Sequence, residues 1–141
     1  MQAFRVAFIS DFKEADRYSV ILTTNIEKHY SHITSDQSFH INFALRELLN
    51  NAVEHGNSCN PDKKVICTVF GTESRITIVV EDEGQGFHLL ERPNPQDKQT
   101  DKTILKTRQR GLWLLQQLGF ELFVEKSKVI TYYDLEVLKC K

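Results

Sequence analysis

Three polar side chains recur along one face of a predicted helix, within the stretch 42–57, NFALRELLNNAVEHGN. Glu47, Asn51 and Glu54 are spaced i, i+4 and i+7, so a helix places them in one stripe, and Asn50 lies beside it. Asparagine is a mediocre helix former, and a solvated helix face more often carries Lys, Glu and Gln. The amide oxygen of Asn51 is a hard ligand suited to Mg²⁺ when phosphates supply further ligands. Glu47, one turn earlier, could orient or deprotonate an attacking water or hydroxyl.

Two glycine-containing segments could complete a ligand site around this helix. In the sequence DEGQG, Gly84 and Gly86 let the backbone turn sharply beside a flat or anionic ligand, and Asp82 could accept a hydrogen bond from an exocyclic amine. Arg110 and Gly111 open a later helix, whose free backbone N–H groups favour phosphate. Each segment alone is common in proteins, the first as an ordinary turn. Together with the polar stripe they follow the order of a nucleotide site: metal helix, base-binding turn, lid, phosphate-binding helix.

Two helices are predicted before the main strands. After a short strand, FRVAFI, Ser10 or Asp11 caps a helix that runs to about Tyr30. Thr34 and Gln37 have the spacing of a capping box and start the second helix, which stops at the glycine of HGN. Apolar residues recurring every three or four positions give each helix a core-facing side. They are Phe12, Ala15, Tyr18 or Ser19, Leu22 and Ile26 in the first helix, and Ile41, Ala44, Leu45, Leu48, Leu49 and Ala52 in the second.

Strand-like runs rich in Val, Ile, Thr and aromatic residues make up most of the remaining predicted structure. Runs 64–70 and 75–81 are joined by a short turn and predict a β-hairpin, and runs 120–125 and 129–138 predict a last pair of strands. The resulting order, β-α-α-β-β-loop-α-β-β, favours an α+β fold. We expect a mixed, mainly antiparallel sheet with the helices on one face.

The segment 88–110 separates the two strand pairs. It contains Pro-Asn-Pro and no sustained apolar period, and loops of this length in compact domains are usually functional lids or disordered. It leads into an apolar helix, GLWLLQQL, which Gly119 closes. Leu112 and Trp113 are expected to be core residues of that helix.

Composition limits the class of protein. A chain of 141 residues is about one domain, which we assign to 1–141. The net charge of -1 provides no global basic field of the kind that nucleic-acid-binding proteins carry. The three cysteines lack paired spacing, which disfavours a disulfide framework or a zinc site and favours a reducing cytoplasm. The sequence shows no signal-peptide core and no apolar run approaching about 18 residues, so we expect no export and no membrane span.

Three segments carry a resemblance to a known family. ELLNNAVEHGN, VVEDEGQGF and RQRGLWLLQQLG resemble the N box, first glycine box and second glycine box of the Bergerat-fold (GHKL) ATPases, which include gyrase, Hsp90, histidine kinases and MutL. NAVEHGN and RGLWLL are most similar to the serine/threonine-kinase anti-sigma factors of bacterial partner switching. The resemblance covers roughly 4–138. It implies a two-layer sandwich that binds ATP and Mg²⁺, holds a sigma factor inactive and phosphorylates an antagonist protein on Ser or Thr; a homodimer is expected by analogy.

The resemblance also implies roles for individual residues. Asn51 is the expected Mg²⁺ ligand and Glu47 the expected catalytic base, while Asp82 would bind the adenine amino group. His55 either lines the pocket or is a helix-end histidine favoured by the helix dipole. The residues assigned to nucleotide binding are Asn51, His55, Asp82, Gly84, Gly86, Arg110, Gly111 and Leu112.

The chain departs from the family pattern at three positions. Gln109 stands where the second glycine box usually has a glycine, and its side chain could crowd a phosphate or restrict the lid. His88 replaces an acidic residue that often follows the first glycine box. The late glycine-threonine pair before the final strand is not evident, although Thr131 could stand in for its threonine. Two functions therefore stay open: an ATP-dependent kinase that is an anti-sigma factor, or a non-catalytic Bergerat-fold binding module. The catalytic domain of a histidine kinase is disfavoured, because no helix pair with a phosphorylatable histidine precedes the domain.

Overall fold

The computed structural model describes residues 3–84 and 111–135, and five strands within these ranges form one sheet. The strand order is β1-β2-β3-β5-β4, and every neighbouring pair is antiparallel. Both predicted hairpins, β2–β3 and β4–β5, are present, and β5 lies between β3 and β4. The strands are β1 Phe4–Ile9, β2 Lys64–Gly71, β3 Arg75–Glu81, β4 Phe120–Glu125 and β5 Lys128–Asp134.

Two long helices connect β1 to β2: α1 over Phe12–His29 and α2 over Ser35–Asn51. The side chain of Asp11 caps α1 by accepting a hydrogen bond from the backbone N–H of Lys13. The predicted capping box of α2 is confirmed, because the Thr34 side chain and the Gln37 side chain each accept the other residue's backbone N–H at 3.0 Å. Residues 111–117 are helical and are called α3, and the residues directly before them lie outside the described ranges.

The end of α2 differs from the continuous α-helix expected from the sequence. Ala52–Gly56 forms a π-helical turn, and the backbone N–H of Asn57 donates to the carbonyl oxygen of Ala52, five residues earlier, at 2.8 Å. Single π-turns of this kind are rare and are frequently found at functional sites. The turn lies directly after Asn51, at the end of the predicted polar stripe.

The helices pack on one face of the sheet. The predicted apolar arc of α2 is buried throughout, from Ile41 to Ala52. In α1 the buried set begins at Ala15, whereas Phe12, at the first helical position, is 42% exposed, so its predicted core role is wrong. Burying one face of each element against the next is the main source of stability for such a layered fold. With the helices on one side of the antiparallel sheet, the α+β prediction is confirmed.

Two further sequence predictions are corrected. β5 ends at Asp134, which pairs with Arg75, the first residue of β3, rather than at Leu138. The backbone N–H of Leu135 still donates to the carbonyl oxygen of Ser74 at 2.7 Å, and 136–138 lie outside the described residues. Trp113 is 54% exposed rather than part of the core. One residue corresponds to about 100° around a helix, so the burial of its neighbour Leu112 turns the indole towards solvent. In the part of the chain that the structure describes, no helix is long and apolar enough to cross a membrane.

Candidate functional site

Residues from all three predicted boxes meet around one small cavity. Its polar lining comes from Asn51, at the end of α2, and Asp82, directly after β3. Leu112, from the first turn of α3, is 3% exposed and forms part of the wall. The volume is about 10 Å³, close to the least that holds one water molecule. The described residues that line it are Leu48, Asn51, Ala52, Val80, Asp82, Leu112 and Val129.

The side chain of Asn51 has unused hydrogen-bonding capacity. Its Nδ2 atom is buried and has no hydrogen-bond partner among the described residues. Leaving such a group unpaired costs on the order of 1–3 kcal/mol, which a ligand can recover. Because rotation about χ2 exchanges the two ends of the amide, Asn51 can present an oxygen to a cation or an N–H to an acceptor. Asn51 is therefore suited to bind a ligand whose phosphates carry a metal ion.

Asn50 and Asn51 do not share one role, although the sequence places them side by side. The Nδ2 atom of Asn50 lies 3.5 Å from Oδ1 of Asp16 on α1, and Nε of Arg46 lies 3.7 Å from the same oxygen. Asn50 therefore faces the contact between α1 and α2, whereas Asn51 faces the cavity. The polar stripe predicted from the sequence is therefore not one continuous site, because Asn50 and Asn51 face different parts of the structure.

Glu47 lies against the start of α3. A Cβ atom added to Gly111 would be 2.0 Å from Oε1 of Glu47, so no side chain fits there without moving the carboxylate. Burial raises the pKa of Glu47, the Arg46 charge opposes this rise and the Glu54 charge adds to it. A carboxylate that is harder to ionise is also a stronger base once it is ionised. The geometry suits the predicted role of Glu47 as a proton acceptor.

The turn after β3 is held by close backbone contacts. Oδ1 of Asp82 accepts a hydrogen bond from the backbone N–H of Gly84 at 2.8 Å, and the backbone N–H of Asp82 donates to the carbonyl oxygen of Ser127 at 3.0 Å. A Cβ atom on Gly84 would lie 1.8 Å from the carbonyl oxygen of Gly56, and one on Gly56 would lie 2.1 Å from Oδ2 of Asp82. Both glycines are needed because the end of the π-turn touches the turn that carries Asp82.

Sequence reasoning missed two residues of this region. The sequence predicts Gly56 and Asn57 only as the end of α2. In the structure Gly56 contacts Asp82, and the buried side chain of Asn57 accepts a hydrogen bond from the backbone N–H of Glu83 at 2.7 Å. The glycine of HGN was an available signal, since glycine allows a close approach of two backbone segments, whereas the local sequence does not distinguish Asn57 from an ordinary turn residue.

The remaining predicted site residues have different outcomes. Nε2 of His55 lies 3.8 Å from Oε2 of Glu54, and His55 is not part of the described cavity wall. Thr131 is fully buried on β5, and its Oγ1 has no hydrogen-bond partner among the described residues. Val129, two positions earlier on the same strand, lines the cavity, whereas Thr131 is not among the described lining residues. Gly86, His88, Gln109, Arg110 and the predicted lid, 88–110, lie outside the described residues.

Comparison with known proteins agrees with this arrangement. Residues 18–131 match the family model of the histidine kinase-like ATPase domain. Anti-sigma F factors from three strains of Clostridium perfringens are each 31% identical over 97 residues, covering 67% of this chain and 69% of theirs. The matched residues include α2, both glycine-containing segments and the strands β2, β3 and β4, whereas β1 lies before them. The chain therefore belongs to the histidine kinase-like (GHKL) ATPases, close to the anti-sigma factors of that family.

Proposed function

We propose that this protein is an anti-sigma factor that binds ATP with Mg²⁺ and phosphorylates an antagonist protein on serine or threonine. The observation that carries the proposal is the convergence of Asn51, Asp82 and Leu112 on one cavity, with Glu47 lying against Gly111, the residue before Leu112. The similarity to anti-sigma F factors supports the class of partner, a sigma factor and its antagonist.

Each residue has a distinct task in this proposal. Asp82 accepts a hydrogen bond from the adenine amino group, and the amide oxygen of Asn51 ligates Mg²⁺. The metal, when bound, neutralises charge on the phosphates during transfer. Glu47 accepts the proton of the serine or threonine hydroxyl, whose oxygen bonds to the terminal phosphorus of ATP while the bond from that phosphorus to the bridging oxygen breaks and ADP leaves. In this proposal a helix start near Gly111 lies beside the phosphates, and its backbone N–H groups favour their charge.

The test is magnesium-dependent transfer of label from ATP to the cognate antagonist protein. With radiolabelled ATP, the antagonist is expected to acquire label on serine or threonine, and chelation of Mg²⁺ with EDTA is expected to abolish the signal. A cognate antagonist that acquires no label, under conditions in which ATP binds, would show that the protein is not a kinase.

Gly111→Ala is expected to slow phosphoryl transfer while the fold is kept. The new methyl group would overlap Oε1 of Glu47, whose flexible side chain can swing away and so leave its catalytic position. Misplacing a catalytic group by about 1 Å can cost about 100-fold in rate, so a loss of at least about 10-fold is expected. The thermal midpoint should not fall much, because alanine is preferred over glycine in a helix by about 1 kcal/mol. Gln116→Ala, at an exposed position of α3, is the matched control and should leave the rate unchanged.

The size of the cavity supports a second candidate function. A volume of about 10 Å³ does not accommodate an adenine ring, and Leu112 lines this cavity together with Asn51 and Asp82. Gln109 adds a side chain where the family usually has glycine. On this alternative the chain is a Bergerat-fold module that regulates its partner with weak or no use of nucleotide. Calorimetry with ATP and Mg²⁺ separates the two functions, since partner binding without detectable nucleotide binding would favour the module.

A further inference from the structure

A buried asparagine connects three separate segments beside the site. Asn57 is 1% exposed and directly follows the π-turn. Its Nδ2 donates to Oγ of Ser10 at 2.6 Å and to the carbonyl oxygen of Lys64 at 2.9 Å. Its Oδ1 accepts the backbone N–H of Glu83 at 2.7 Å. Both N–H donors and the acceptor of the amide are therefore used.

The three partners of Asn57 come from different elements. Ser10 directly follows β1, Lys64 begins β2, and Glu83 lies in the turn after β3. Ser10 is itself fixed, because its hydroxyl and its backbone N–H both donate to the carbonyl oxygen of Lys63, each at 3.0 Å. The amide thus joins the end of α2 to a rigid edge of the sheet on one side and to the turn carrying Asp82 on the other.

The bond to Glu83 bears directly on the position of Asp82. Glu83 is the next residue along the chain, so holding its N–H fixes the peptide unit that Asp82 shares with it. Gly56, immediately before Asn57, touches the Asp82 carboxylate, and Gly84 touches the carbonyl oxygen of Gly56. Asn57 itself does not line the described cavity. Any influence on a bound ligand must therefore pass through the backbone of this turn.

We propose that Asn57 is a positioning residue that sets the base selectivity of the site, a role that rests on the proposed nucleotide-binding function. A carboxylate at the position of Asp82 accepts a hydrogen bond from the amino group of adenine, whereas guanine presents a carbonyl oxygen there, which the carboxylate repels. Such discrimination depends on the carboxylate being held in place, because a polar group that can turn away no longer penalises the wrong base.

The experiment compares Asn57→Ala with Ser10→Ala. The first variant removes the bond to Glu83, whereas the second removes one partner of Nδ2 and leaves Oδ1 bound to Glu83. Both variants are expected to unfold at lower temperature than wild type, since each leaves buried polar groups unpaired. Dissociation constants for ATP and for GTP are measured by calorimetry. The preference for ATP over GTP is expected to fall by at least about 10-fold in Asn57→Ala and to stay unchanged in Ser10→Ala.

Each outcome decides the proposal. An unchanged ATP preference in Asn57→Ala, or an equal loss in Ser10→Ala, would overturn the positioning role while leaving the proposed function intact. Wild-type protein that binds neither nucleotide would overturn both. If Asn57→Ala does not fold, Asn57→Ser provides the same comparison, because its shorter side chain cannot reach the Glu83 N–H without movement of the backbone.

Discussion

Asn51→Ala is expected to weaken magnesium-dependent ATP binding by at least about 100-fold, since even outer-shell partners of metal ligands contribute about 10–100-fold to metal affinity. The loss should appear in calorimetric titrations with Mg²⁺ and largely disappear in EDTA, where the amide has no metal to bind. Stability should not fall in parallel, because the variant removes a buried amide nitrogen that has no partner among the described residues. A loss of affinity without a loss of thermal stability would identify Asn51 as a ligand-binding residue.

The neighbouring asparagine provides the control for this prediction. Asn50→Ala removes an amide of the same type, one residue away, whose Nδ2 lies 3.5 Å from Asp16 on α1. Nucleotide affinity should be unchanged in this variant. If Asn51→Ala binds ATP and Mg²⁺ as wild type does, or if both variants lose affinity equally, the assignment of Asn51 as the metal ligand is wrong.

Periodicity and caps were enough to predict most of the fold. The apolar arc of α2, from Ile41 to Ala52, is buried as predicted, since each of its residues obeys the helical period. The capping box at Thr34 set the start of α2, and the run 120–125 matches β4 residue for residue. These features are local, because a helix period or a cap depends on residues close together in the sequence.

Long-range contacts were not predictable in the same way. Asn57 reaches Ser10, 47 positions away in the sequence, and nothing in the local pattern distinguishes a buried asparagine from an ordinary turn residue. The π-turn after Asn51 has the same composition as a regular helical turn, so its extra residue is invisible to periodicity. Trp113 was misassigned because its size favours burial on average, whereas its angle on α3 depends on which neighbour faces the sheet. The proximity of the N box and the two glycine boxes was predicted only from the order of these motifs along the chain.

Glu47→Gln is expected to reduce phosphoryl transfer to the antagonist by at least about 100-fold while ATP binding is kept, since a general base contributes about 100- to 10,000-fold. Glutamine has nearly the same shape, so it fills the space beside Gly111 without accepting a proton. Single-turnover transfer measured beside calorimetry separates the two effects. An unchanged rate of transfer would exclude Glu47 as the base, and a parallel loss of ATP affinity would indicate a role in binding instead.

The raised pKa of Glu47 makes this prediction depend on pH in a defined direction. Burial raises the pKa of Glu47, so the ionised base is lost as pH falls through that raised value, and transfer should fall at a higher pH than an ordinary glutamate would cause. Glu54→Gln removes a charge that adds to the rise, so it should move this acid limb to lower pH.

The stability effect has the opposite sign. Because the folded-state pKa is above the unfolded-state value, ionisation of Glu47 opposes folding at neutral pH, and Glu47→Gln should be as stable as wild type or more so. That advantage should vanish below the unfolded-state pKa, where both states of the wild type are protonated.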